Sequence, residues 1–111
     1  MTQAAIKTVE TLSRLEAVYQ RGYHDELVDR TLGKLLDFER EKAQRELRAL
    51  QSELQRFEVQ YHRASAKFYQ QFQQDTLGDA ADYFEWSACY DMYQAVFTRL
   101  TVLNDELSSV H

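Results

Sequence analysis

Apolar side chains recur every three or four positions along almost the whole chain, and no stretch alternates with the period of two that marks a strand. Ala5, Val9, Leu12, Leu15 and Tyr19 form one face of a first helix over about Thr2 to Gln20. Gly22 is placed to end it, because glycine accepts the left-handed conformation at a helix C-terminus. Asp25 is a candidate N-cap for a second helix running to about Tyr61. Its seam is Leu36, Ala43, Leu47, Leu50, Leu54, Phe57 and Tyr61, with the alternating steps of four and three of an antiparallel hairpin or coiled coil. Two residues interrupt that pattern. Gly33 reads as the site of a close helix crossing, with a hinge as the alternative. Arg40 falls on the seam and reads as a side chain reaching solvent, with a carboxylate across the interface as the alternative.

The second half holds a short helix and a long one. Ser65 is placed to cap Ala66–Gln73, with Phe68, Tyr69 and Phe72 on the inner face. Gly78 closes this unit, with Leu77 as an apolar anchor. Asp79 caps a last helix over about Ala80 to Ser108. Its seam is Trp86, Tyr90, Tyr93, Phe97, Leu100, Asn104 and Leu107, and a second stripe of Cys89, Val96, Leu103 and Val110 runs beside it. A stripe this wide predicts cover on two sides. Asn104 reads as an exposed residue near the helix end. The predicted fold is all-α, a single domain over residues 1–111. It is a long antiparallel helical hairpin with an additional N-terminal helix packed alongside and a short helix at the bend.

Composition agrees. The chain has 111 residues, no proline and three glycines. The single Cys89 excludes an internal disulfide framework. No run approaches the length of a membrane span, and no basic-then-apolar leader opens the chain. A cytoplasmic setting is expected. Charge is uneven: residues 1–63 carry eleven basic and eleven acidic side chains, and residues 64–111 carry two basic and seven acidic. The net charge of −5 therefore arises in the last part. Residues 68–93 hold eight of the fourteen aromatics and five acidic side chains, with no Lys or Arg. Nucleic-acid binding needs clustered cations to displace counterions. The basic positions of the second helix, such as Arg45, are interleaved with acids such as Glu41 and form a solvated face. An acidic, aromatic stretch predicts instead a docking surface for a basic protein, with Tyr69, Asp75, Asp82, Tyr83, Glu85, Asp91 and Tyr93 as contacts. Gly22, Ser65, Phe68, Phe72, Gly78, Asp79, Trp86 and Tyr90 are assigned structural roles.

Chemistry has less support. Glu58 and His62 share one helix face, and Asp82 and Glu85 share another, so a fold-back over residues 62–79 would bring two pairs together as in bundle metal sites. The Glu-x-x-His spacing of di-iron bundles is absent, and the simpler reading is helix-end charges and solvated side chains. Neither metal nor cofactor is expected. Cys89 lies on an apolar stripe and reads as an unreactive core thiol. No histidine has the context of an activated serine or cysteine, and there is no glycine-rich phosphate loop. No catalytic residue is assigned.

The stretch FYQQFQQDTLGDAADYFEWSACYDMY resembles the signature of a family of small stand-alone helical proteins of bacteria and archaea. The matching residues are Phe68, Tyr69, Phe72, Leu77, Gly78, Asp79, Asp82, Glu85, Trp86, Tyr90 and Met92. Gly22-Tyr23, Glu26-Leu27, Arg30, Lys34-Leu35-Leu36 and Glu39 fit as well. Asp75, where that pattern has glycine, and the less regular Tyr83-Phe84 pair depart from it. The family lies beside small toxin-like genes. The resemblance thus implies an antitoxin-like, non-enzymatic protein that meets a small basic toxin. Two alternatives remain: an oligomeric helical adaptor and a metal-binding bundle. Homodimerisation is expected in either interaction class, through the part of the last helix's wide stripe that a thin bundle leaves uncovered.

Overall fold

Thr2 opens the first helix in the computed structural model, which describes residues 1–74, 77, 78 and 80–105. Four helices account for most of them: α1 (Gln3–Gln20), α2 (Glu26–Tyr61), α3 (Ser65–Gln73) and α4 (Ala81–Asn104). No strand occurs among the described residues. The architecture is the expected all-α one, with α2 and α4 packed as a long hairpin and α3 at its bend. No helix among the described residues is long and apolar enough to cross a membrane. By contact the chain forms two compact units, residues 1–34 and 35–111, and α2 contributes to both.

In the first unit the predicted signals at Gly22 and Asp25 do their work, and Thr2, expected as the first helical residue, is the cap of α1 instead. The Thr2 hydroxyl accepts the Ala5 N–H at 3.1 Å. At the other end of α1, the Gly22 N–H reaches the Tyr19 carbonyl at 3.0 Å and the Tyr23 N–H reaches Val18 at 3.1 Å. This is a Schellman ending, and Gly22 supplies its left-handed residue at φ 102°. Asp25 caps α2 by accepting the Val28 N–H at 3.1 Å. That bond holds its carboxyl below the usual range. The Tyr19 hydroxyl accepts the Asp25 N–H at 3.1 Å and lies 2.8 Å from the Asp29 carboxylate. His24 meets the same carboxylate at 2.6 Å.

Gly33 does not mark a close crossing. A β-carbon placed there would find no atom within 4 Å beyond its own helix. Gly33 therefore weakens α2 without giving any neighbour room. Gly33→Ala is expected to stabilise the protein by about 1 kcal/mol through helix propensity. Thermal unfolding checks this, and a lower melting temperature would mean that the position is not regular helix in solution.

The second unit holds the core. Leu54, Phe57, Phe68, Trp86 and Cys89 form one buried cluster. The α2 seam is as predicted from Ala43 onward, whereas Leu36 is exposed. The α4 seam differs. Its inward positions include Trp86, Cys89, Tyr90, Tyr93, Val96, Leu100 and Leu103, drawn from both predicted stripes, with the buried Ser87 beside them. Phe97 and Asn104 are exposed. Leu107, Val110 and the predicted end at Ser108 lie outside the described residues.

Polar groups fix the ends of these helices in ways the sequence reading did not foresee. Arg40 does not reach freely into solvent. Its Nε donates to the Leu103 carbonyl at 3.1 Å, and Nη1 donates to Asp37 at 2.9 Å within α2. Its side chain is 21% exposed. The guanidinium thus serves an orphan carbonyl in the last turn of α4 and puts positive charge at the negative end of that helix. Arg99 and Glu46 join α4 to α2 at 2.8 Å.

At the end of α2 the Arg63 N–H returns to the Glu58 carbonyl at 3.3 Å, with His62 left-handed at φ 52°, where glycine is the usual residue. Ser65 is the first residue of α3, not its cap. Ala64 holds the cap position and makes no side-chain bond there. The Glu58 carboxylate reaches over from α2 and accepts the Ser65 N–H at 2.8 Å. This frees the Ser65 hydroxyl for the core. Likewise Ala80, with no side-chain bond, occupies the cap position of α4, and Asp79 lies outside the described residues. Gly78 has the positive φ expected of a chain reversal, 87°.

Candidate protein-docking surface

Trp86 is the centre from which the surface is built. Its ring is fully buried. Phe68 of α3 lies parallel to it at 3.8 Å between centroids, and Phe57 and Tyr61 of α2 follow at 5.6 Å. The indole N–H donates to the Ser65 hydroxyl at 2.9 Å. One aromatic side chain therefore joins three helices and spends its only polar group inside the core. Phe72 continues the stack beside Phe68 and meets Phe84 edge-on at 5.4 Å.

From this core a row of rings runs outward along α4. Tyr69 of α3 meets Tyr90 at 4.9 Å, Tyr90 meets Tyr93 at 6.3 Å, and Tyr93 meets Phe97 at 6.2 Å. The three tyrosines are half-buried, and Phe97 is 53% exposed. Two adjoining shallow clefts flank the row. One, of about 570 Å³, lies against Gln51, Gln55, Glu58 and Ser65. The other, of about 450 Å³, is lined by Gln94, Phe97 and Thr98. Tyr90 and Tyr93 line both. Among the described residues neither cleft has a Lys or Arg in its lining, and the one charged lining residue is Glu58.

The acidic positions do not form one continuous face. Asp82 accepts the Tyr61 hydroxyl at 2.6 Å, with the Gln60 amide at 3.4 Å from the same oxygen. Glu85 lies 3.9 Å from Arg56 of α2, so the stretch does have a compensating cation nearby. Asp91 accepts the Tyr69 hydroxyl. Glu85 and Asp91 are six positions apart, about 240° around the helix, which puts them on different flanks of α4. Of the acids placed there by sequence, Asp91 borders the aromatic row, while Asp82 and Glu85 face α2. Tyr83 packs inward against Tyr61 at 5.6 Å and Phe68 at 5.5 Å. Asp75 lies outside the described residues. Phe97 and Glu58 are the surface residues that sequence missed. Phe97 was hidden by its place on an apparent seam, and Glu58 by a role that exists only once α3 folds back onto α2.

The tyrosine–aspartate bonds have a titration signature. Tyr61 and Tyr69 ionise above their ordinary range, chiefly because Asp82 and Asp91 hold their protons and secondarily through desolvation. A phenol raised in the folded state contributes stability below its unfolded value of about 10, and that contribution is lost as pH rises through the folded value. The variant carrying Tyr61→Phe and Tyr69→Phe is therefore expected to lose stability near neutrality and to show a shallower decline above pH about 10. Urea unfolding across the alkaline range checks this; parallel wild-type and variant profiles would contradict it.

No three His, Cys, Asp or Glu side chains among the described residues come together as a metal-holding group. Glu58 is engaged by Ser65 and Asp82 by Tyr61, and His62 is exposed. Cys89 is buried, and burial pushes its thiol up, as for an inert core cysteine. Comparison of the chain with family models, curated proteins and solved structures gives no match.

Proposed function

We propose that this protein is a non-enzymatic interaction module that docks a basic protein through the aromatic row Tyr69, Tyr90, Tyr93 and Phe97. The observation that carries this reading is a connected row of rings, open at Phe97, whose flanking clefts contain no basic side chain among the described residues, with Glu58 lining one cleft and Asp91 bonded to Tyr69 at the start of the row. Tyrosine and phenylalanine supply contact area at low entropic cost, and carboxylates on the border favour a cationic partner through encounter rate. The resemblance noted in the sequence makes the partner a small toxin, neutralised by contact in the cytoplasm, and gives the chain an antitoxin-like role. The expected acidic face is thereby narrowed to the Asp91 flank of α4.

The test starts from a tagged copy purified from its native cell. The co-purifying protein is then identified, made pure and recombined with this chain at low and high salt. The expected partner is basic and associates more slowly as salt rises. A neutral or acidic partner whose association ignores salt would contradict the proposal.

A further inference from the structure

α1 contains no buried residue. Leu15 and Tyr19 are half-buried, and with Leu12 and Glu16 they line a small cavity of about 170 Å³ with Leu32 of α2. The neighbouring face is open: Val9 is 51% exposed, Leu12 50% and Ile6 39%. A two-helix unit of this length has too little buried area to hold itself together unaided, so this face calls for cover. Its charge does not select a partner of either sign, since residues 1–34 carry five basic and five acidic side chains.

The order of residues on the open face points to a second copy of the chain. At about 100° per residue, Thr2, Val9 and Glu16 lie nearly on one line. Ala5 and Leu12 flank it on one side, and Ile6 and Ser13 flank it on the other. Each side of the line thus carries one large and one small residue at similar distances from Val9. In an antiparallel pair of α1 helices related by a two-fold through Val9, Val9 meets Val9, Ile6 meets the small Ser13 on one side, and the small Ala5 meets Leu12 on the other, so each large side chain faces a small one. Glu16 is the one charge on the face. It arrives at the partner's Thr2, where α1 begins without an acidic residue in its first turn. The positive end of that helix is thus left for a carboxylate. Lys7, Glu10 and Arg14 turn about 100–160° away and stay in water.

We infer that the protein forms a two-fold dimer in which α1 pairs antiparallel with α1 of the second copy, Glu16 of each neutralising the helix N-terminus of the other. This interface is separate from the aromatic row and does not depend on what binds there. Two variants and the wild type test it by light scattering and mild oxidation. Wild type, with only the buried Cys89, is expected to be a dimer at tens of micromolar and to form no disulfide. Val9→Cys should cross-link into a covalent dimer, because position 9 lies on the axis, whereas Arg14→Cys on the far side should not. Glu16→Lys should weaken dimerisation by about tenfold, because two charge–dipole contacts become repulsive. A monomeric wild type would overturn the inference, and so would a dimer in which Val9→Cys cross-links no better than Arg14→Cys. The second outcome would place the second copy elsewhere, the uncovered flank of α4 included.

Discussion

Trp86→Ala is expected to lower the stability of the protein by about 3–5 kcal/mol, a large part of what a domain of this size has. Two effects act together. The ring packs against Phe68, Phe57 and Tyr61, so its removal leaves a cavity bounded by three helices. The Ser65 hydroxyl also loses the indole N–H that meets it in the interior, and a buried polar group without its partner adds to the loss. At about 4–8 °C per kcal/mol for a small domain, the melting temperature should fall by roughly 12–40 °C. Thermal or urea unfolding followed by circular dichroism reads it directly. A melting temperature unchanged by the substitution would show that the ring is not the core centre described above.

Phe97→Ala should do the opposite: leave the fold nearly intact and remove binding. The ring is more than half exposed and ends the aromatic row against Tyr93, so truncation should cost about 1 kcal/mol of stability or less. If the row is the docking surface, the same change removes an aromatic anchor and should weaken the reconstituted complex by about 10- to 100-fold. Met92→Ala is the matched control. Met92 is 54% exposed but is turned about 140° away from Phe97 around α4. Binding measured by calorimetry should distinguish the two variants; equal, small effects would remove Phe97 from the interface.

What the sequence disclosed depended on whether a residue's role was local. Gly22 and Asp25 act on backbone groups within a few positions of themselves, and their residue types announced the end of α1 and the start of α2. The seam from Ala43 to Tyr61 has one apolar stripe, so its buried face had one solution. α4 has two adjacent stripes, and periodicity alone does not say which side of each is covered. The position of α3 and α2 resolves this, burying Val96 and leaving Phe97 outside. Other roles are tertiary from the start. Ser65 looks like a cap, but Glu58 takes that task and the hydroxyl turns to Trp86. Arg40 looks like an intruder on the seam until the end of α4 arrives beside it. Asp82 and Asp91 look like free charge until Tyr61 and Tyr69 are folded against them. For the same reason the sequence suggested one acidic face, whereas Glu85 turns toward Arg56 and Asp91 toward Tyr69 on different flanks of α4.

The most direct measurement of the central claim is oxidative footprinting of the reconstituted complex, comparing Phe97 and Tyr93 with Met92 on the same helix. The account predicts that Phe97 and Tyr93 become protected when the basic partner binds while Met92 keeps its free reactivity. Protection of Met92 with Phe97 and Tyr93 unchanged would contradict it.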